Sequence, residues 1–523
     1  MNTNEFLEIS SSIVPKRTAI TFDDNQISFQ ELQVAADRLA NVLVTLGIKA
    51  GDRVAMIDVN SPQVLITYFA CAKLDAIFVP LNYRAKEDEL HHMLRIAKPS
   101  IIFVGNRYAS LIRKVSKYEG CSLTVIGIDI PDKEGWFSYE CLMKHSCQEH
   151  TFTPTSQGKD TTILLFTSGT TGFPKAVMLS HDSFSSYMLS SVDPADPDIE
   201  ENNLLCVPLY HIAGLQASLA GIYAGRNLVM MRQFEPLEWM KLVEKNRVQR
   251  SGIVPTMLKQ ILDHPRFCEF DLSSLKIISY GAAPMPTIVI KTAIKRFPSV
   301  LFINAFGQTE TASTITMLSP EDHILEGSEQ EIEKKLIRLQ SVGKPLPDIE
   351  VKILDVNGKE VSWGVTGEVA CRGPRLMSGY WDDKEATRSA FQDGWLFTGD
   401  LGYKDQDGYI YLSGRSKDFI KRGGEMISPE EIERILKDHP EVDDAAVIGV
   451  PDEEWGERVR ALIVLKPGKS ISKNSLIGDV HGKLASFKTP ESIIFVGCLP
   501  QNHLGKILKR ELREKYSYPI EAK

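Results

Sequence analysis

The residues Thr167-Ser168-Gly169-Thr170-Thr171-Gly172-Phe173-Pro174-Lys175 are the densest run of usable chemistry in the chain. Four hydroxyls and one ammonium surround two glycines. The glycines let the backbone turn tightly and bring N–H groups against an anion, so the run suits a polyphosphate. Apolar stretches at 162–166 and 176–179 flank it and read as strands. It is not a Walker A loop, because Gly169 is followed five residues later by Pro174 and not by Gly-Lys-Ser/Thr. A polar hairpin loop is the plainer alternative.

The run resembles the phosphate loop of the adenylate-forming superfamily, which comprises acyl-CoA synthetases, firefly luciferase and the adenylation domains of peptide synthetases. The resemblance continues in order over nearly the whole chain and is closest to the acyl-CoA synthetases. It implies that Thr167, Ser168, Gly169, Thr170, Thr171, Gly172 and Lys175 bind ATP and AMP. Asn304-Ala305-Phe306-Gly307-Gln308-Thr309-Glu310 resembles the family's aromatic-Gly-x-Thr-Glu motif. Phe306 would then stack on adenine, Thr309 bind phosphate, and Glu310 hold Mg2+ through hard oxygens together with Thr170. Asn304 and Gly307 belong to the same nucleotide set. Gly281-Ala282-Ala283-Pro284 looks like the small-residue segment against which adenine and the acyl group pack.

Downstream, Trp395-Leu396-Phe397-Thr398-Gly399-Asp400 resembles the block whose Asp accepts hydrogen bonds from the ribose hydroxyls. Gly367-Glu368 and Gly379-Tyr380-Trp381 also match family patterns. The resemblance adds Leu412 and Arg415 to the nucleotide site and makes Gly414-Arg415-Ser416-Lys417-Asp418 the hinge, with Lys417 as pivot. Lys421-Arg422-Gly423-Gly424-Glu425 resembles the face that meets CoA after domain rotation, and ordinary surface charge is the rival explanation of its basic pair. Pro500 to Lys506 resembles the block carrying the catalytic lysine. Carboxylate attack at the α-phosphorus builds negative charge, which a positioned ammonium stabilises.

Peptide-synthetase domains place an Asp after the phosphate loop to pair with the substrate amine. Here Pro208-Leu209-Tyr210-His211-Ile212-Ala213-Gly214-Leu215 has no carboxylate, and an unpaired ammonium would be costly there. Amino-acid substrates are therefore disfavoured, and no carrier domain is expected after Lys506. His211 resembles the catalytic family residue that lines the acyl pocket and swings aside for the thiol, with Tyr210, Gly214 and Gly281 beside it. Small neighbours (Ala213, Ala217, Ala220, Gly221) leave room for an acyl group, although close helix packing explains them equally well. The expected enzyme is an ATP-dependent acid–CoA ligase: acid and ATP give acyl-AMP and pyrophosphate, then CoA gives acyl-CoA and AMP. A medium- or long-chain fatty acid is the expected substrate, with an aryl or alicyclic acid as the alternative. Transfer to a carrier protein, luciferase-like oxygenation and a non-catalytic nucleotide-binding homologue are the remaining rivals. Intact Lys175, Glu310, Asp400, Arg415 and Lys506 speak against the last.

These residues need a scaffold. Apolar spacing predicts helices over 29–47 and 61–75 and strands over 53–59, 76–80, 100–104, 204–208, 227–231, 276–279 and 300–304, a strand–helix alternation that argues for α/β layers. After residue 340, strand-like runs at 350–354, 367–372 and 409–412 are separated by Gly-, Pro- and Asp-rich turns. Ser428-Pro429-Glu430-Glu431 is a helix start with Ser as N-cap, Pro at the first position and Glu placed to close a capping box. Runs at 445–450 and 461–465 read as buried strands. The expected fold class is α/β, with a large multi-subdomain N-terminal domain of mixed sheets and packed helices (1–413), a hinge (414–417) and a small mobile α+β domain (418–523).

Composition narrows the function classes. The chain of 523 residues exceeds one ordinary core. A formal net charge of −8 argues against a nucleic-acid partner. The basic tail (Lys506, Lys509, Arg510, Arg513, Lys515), interrupted by Glu511 and Glu514, reads as a solvated helix face, with a local phosphate site as the alternative. Eight cysteines without a Cys-x-x-Cys pair suit a reducing compartment. Neither a signal peptide nor a membrane span is apparent, because the apolar stretch 68–81 is short and broken by Lys73 and Asp75. The expected partners are ATP, CoA and a small carboxylic acid in the cytoplasm, with a homodimer left open.

Overall fold

The computed structural model describes the chain apart from residues 116–122, 131–134, 147–151, 168–173, 416, 423–424, 453, 503–504 and 518–523. Two large sheets carry the N-terminal part. The first has nine strands, in spatial order Lys344–Pro345, Ser313–Leu318, Leu301–Gln308, Ile277–Gly281, Arg250–Ile253, Asn202–Leu205, Asn227–Met230, Thr18–Phe22 and Asn25–Ser28. Its inner pairs are parallel, with antiparallel strands at both edges. The second has eight strands, among them Lys175–Ser180, Thr161–Thr167, Ile77–Pro80, Arg53–Ile57 and Ile101–Gly105. The predicted strands are all present, and several start or stop one to five residues from the expected bounds.

Helices Phe29–Thr45, Pro62–Lys73 and Ile212–Tyr223 pack with these sheets into the largest apolar core. The first begins as its sequence dictates: Ser28 accepts the Glu31 N–H while the Glu31 carboxylate accepts the Ser28 N–H, a complete capping box. A third sheet of five strands contains Glu350–Leu354, Gly367–Arg372, Trp395–Lys404 and Ile410–Arg415. The C-terminal part has its own five-stranded sheet, built on the long hairpin Val442–Asp452 and Gly456–Leu465, and a separate core around Ile432, Ala445 and Ile463.

Two expectations need correcting here. Ser428 does cap helix Pro429–Lys437 by accepting the Glu431 N–H at 3.3 Å, but no reciprocal box forms. The Glu431 carboxylate is drawn away to Lys488, 2.7 Å distant. The basic tail is not a wholly solvated face either: in helix Lys509–Tyr516, Lys509 pairs with buried Glu433 at 2.8 Å and Arg513 with Asp418 at 2.8 Å.

Candidate active site

Parallel sheets gather functional groups at the carboxyl ends of their strands, where the chain leaves the sheet into loops. A cavity of about 1390 Å³ opens there and is closed on the other side by the C-terminal part. From the N-terminal part Thr167, Lys175, His211, Thr309 and Glu310 face it; from the C-terminal side come Arg415, Lys417 and Lys506. Residues 168–173 and 423–424 lie outside the described residues, so the expectations for Ser168, Gly169, Thr170, Thr171, Gly172, Gly423 and Gly424 have no structural counterpart.

Lys175 starts the strand that pairs with Thr161–Thr167, and the two-residue strand Gly379–Tyr380 is added on its other edge. That pairing brings Tyr380 to Lys175, whose ammonium stands 4.9 Å from the ring centroid. The Tyr380 hydroxyl donates to the Glu310 carboxylate at 2.9 Å, and the Glu310 carbonyl accepts the Met377 N–H at 2.9 Å. Burial, reinforced by the neighbouring Glu310 carboxylate, pushes the Tyr380 phenol far above its usual range and keeps it a donor. Mg2+ is commonly held by one or two protein carboxylates plus substrate phosphates, and Glu310 faces the cavity beside Lys175 and Tyr380. Glu310 therefore fits the ion as a single ligand, and no cluster of three His, Cys, Asp or Glu that could hold a metal occurs among the described residues.

Asp400 and Arg415 face each other in the third sheet at 2.9 Å, with Asp400 only 8% exposed. Glu368, on the neighbouring strand, accepts the Gly399 N–H at 2.9 Å, and burial raises its carboxyl above the ordinary range. The Lys506 backbone N–H donates to Asn502 Oδ1 at 2.9 Å. Burial and the nearby Arg415 cation depress the Lys506 ammonium, against the pull of Asp400, Glu430 and Asp418. A cation weakened in this way is held ready for an anion. Lys417 is exposed beside the turn in which Asp418 N–H donates to the Arg415 carbonyl at 2.8 Å.

Strand alternation sorts the remaining expected residues. In Leu301–Gln308, Ile303, Ala305 and Gly307 line the cavity, while Asn304 and Phe306 do not. Asn304 donates to the Ser341 carbonyl at 3.2 Å, and Phe306 packs on the large core. Leu412 likewise packs on the core. Gly281 and Ala282 line the cavity and Ala283 does not. A side chain at Gly281 would strike the Ala305 carbonyl, and Ala282 adopts φ +67°, so this turn depends on small residues.

Gly214 and Tyr210 also stay out of the cavity. A Cβ at Gly214 would collide with the Pro208 carbonyl, which makes this glycine a packing residue. Tyr210 is buried edge-on against Tyr83. Lys421 is exposed and donates its N–H to Glu457, while Arg422 is held by Glu491 at 2.5 Å and by the Phe487 carbonyl at 2.8 Å, both away from the cavity. Gln216, Tyr187, Arg226 and Arg250 line the cavity without having been foreseen. Scattered polar residues in apolar surroundings give no motif that could have found them.

Residues 8–381 match the family described as AMP-binding enzyme, and 431–506 match the AMP-binding enzyme C-terminal domain. The chain belongs to the AMP-binding enzyme family. It is an enzyme of the AMP-forming acid–thiol ligase kind. It is 32% identical to the indoleacetate–CoA ligase of Aromatoleum aromaticum, over 98% of both chains. It is also 32% identical to the fatty acid–[acyl-carrier-protein] ligase ScoC of Streptomyces coeruleorubidus, over 96% of this chain and 94% of that one. Among solved structures, ATP-bound MatB from Rhodopseudomonas palustris superposes with a TM-score of 0.87 at 31% identity, over 99% of both chains. The mixed α/β architecture of this family member is thus the one expected. No helix among its described residues is long and apolar enough to cross a membrane.

Proposed function

We propose that the enzyme couples a carboxylic acid to CoA through an acyl-adenylate, using ATP and Mg2+. The observation that carries this reading is the convergence of Lys506 on the cavity already holding Lys175, Glu310 and Arg415. In the first half-reaction the acid's carboxylate oxygen attacks the α-phosphorus, and the bond to pyrophosphate breaks. Lys506 stabilises the charge that grows on the α-phosphate, Lys175 holds the departing phosphates, and Asp400 accepts hydrogen bonds from the ribose hydroxyls. Glu310 would hold Mg2+, whose charge would offset that of the phosphates.

In the second half-reaction the CoA thiol attacks the acyl carbon and AMP leaves. The C-terminal part, residues 418–523, pivots about Lys417, withdraws Lys506 and presents Lys421 to Gly424 to the cavity. His211, at the N-terminus of helix Ile212–Tyr223, stands where acid and thiol must meet.

The acid remains a choice between classes. The ScoC name supports the expected fatty acid, and the indoleacetate ligase name supports the aryl alternative equally. ScoC also makes a carrier protein the competing acceptor. A cytoplasmic, reducing setting suits the free thiols of Cys71, Cys206 and Cys371. An acid panel with ATP, Mg2+ and CoA tests the reading: acid-dependent AMP, pyrophosphate and acyl-CoA are expected. Release of ADP and orthophosphate would overturn it, and AMP release with no thioester on CoA would move the acceptor to a carrier protein.

A further inference from the structure

Beyond the nucleotide end, the cavity runs along one face of helix Ile212–Tyr223, lined in turn by Ala213, Gln216, Ala217 and Ala220. That is the i, i+3, i+4, i+7 stripe of a helix. Three of the four side chains are methyl groups, as a pocket for an apolar acid requires. The fourth is a primary amide, only 6% exposed, and neither Gln216 Nε2 nor Gln216 Oε1 has a hydrogen-bond partner among the described residues. An amide sealed from water without partners is costly, so a polar ligand atom is the natural complement. Opposite the helix, Ser251 and Ser279 line the same cavity. Its far end is closed by Arg226 and Arg250, which share the single carboxylate of Glu201 at 2.9 and 2.7 Å. Two cations on one anion leave that end positive.

We propose that Gln216 is the specificity-determining residue of the acid pocket, selecting acids whose body carries a hydrogen-bonding oxygen or nitrogen over plain alkyl acids. The proposal rests on the ligase reading and names its substrate class. Gln216 lies five residues beyond His211, the N-cap of the same helix, and a rise of ~1.5 Å per residue sets the two about 7 Å apart along the helix axis. That is the span of an aryl or short functionalised chain. A site built to hydrogen-bond such a group discriminates strongly against analogues without it, because its own polar atoms are then left unpaired.

The test compares matched acids, cinnamic against 4-hydroxycinnamic acid and octanoic against 7-oxooctanoic acid, by pyrophosphate release. The wild type should favour the oxygen-bearing member of at least one pair by about tenfold or more in kcat/KM. Gln216→Leu, close in volume but apolar, should abolish or reverse that preference while ATP still protects the variant against thermal unfolding. If Gln216→Leu does not fold, Gln216→Asn, with its amide drawn back by one methylene, should shift the preference between pairs. Equal discrimination by the wild type and by a folded variant overturns the Gln216 role and leaves the ligase reading intact. A wild type that prefers the plain acid in both pairs overturns it too. Absence of pyrophosphate release with every acid sinks the ligase reading itself.

Discussion

Asp400 and Arg415 are register partners on adjacent antiparallel strands, and Arg415 Nε stands 2.9 Å from Asp400 Oδ1. Arg415 lines the cavity at the last rung before Lys417, and the pair sits beside Lys506, which comes from a distant part of the chain. One element of the rigid sheet thus sets the electrostatic surroundings of a lysine carried by the part proposed to move. Arg415 weakens the Lys506 cation and Asp400 supports it, so the balance between them tunes the residue proposed to stabilise the transition state.

Replacing that lysine separates the two half-reactions. Lys506→Ala should lower acid-dependent ATP–pyrophosphate exchange by roughly 10²–10³-fold, the loss typical of one charge-stabilising donor. Thioester formation from preformed acyl-AMP should be nearly unchanged. A similar loss in both assays would remove Lys506 from its assigned step.

The same triad makes a prediction with a definite sign. Lys506 is proposed to act as the ammonium, and its pKa is depressed by burial and Arg415. Adenylation should therefore fall off on the alkaline side below the usual lysine range. Asp400→Asn deletes a group that supports the charged form, so the alkaline limb should move to lower pH. Arg415→Gln deletes the opposing cation and should move it to higher pH. Both variants will also raise KM for ATP, so the limb is read from kcat in saturating ATP; limbs that coincide in all three proteins would refute the coupling.

Legibility from sequence followed the locality of each interaction. Thr167, Lys175 and Glu310 stood out because a strand end places a short motif as a unit, and all three line the cavity; Asp400 stood out through its block although it sits mid-strand in Trp395–Lys404. The motif does not show which face of the strand meets the cavity: Ala305 and Gly307 take that face, and Phe306 packs on the core. Gly214 looked like pocket space, yet the Pro208 carbonyl occupies the place of its missing side chain. Gln216 and Lys509 were invisible as functional groups, since one is defined by lacking a partner and the other by a partner, Glu433, distant in the sequence. Local periodicity carries neither kind of information.

The pivot can be tested by stiffening it. Lys417→Pro fixes φ near −65° in the turn that follows strand Ile410–Arg415. The structure already has Lys506 at the cavity, so adenylation should fall by less than about tenfold, while CoA transfer, which needs rotation, should fall by a further factor of ten or more. Lys417→Ala serves as the control for the lost charge. Equal CoA transfer in the Pro and Ala variants would place the pivot elsewhere.

The C-terminal unit also holds a buried ion pair, and breaking it should cost stability. Glu433 is 7% exposed, accepts the Val447 N–H at 2.7 Å and meets Lys509 at 2.8 Å. Burial works against the Lys509 ammonium, but Glu433 and Glu430 outweigh it and leave its pKa raised. With the folded value above the unfolded one, this contribution is fully present below about pH 10 and is lost as pH rises through the folded value. Lys509→Met leaves Glu433 buried and unpaired, so the unfolding free energy from urea titration near pH 7 should drop by about 3–5 kcal/mol. Adding Glu433→Gln removes the stranded charge and should recover part of that loss. A single variant as stable as wild type, or a double variant no better than the single, would show that water already reaches the pair.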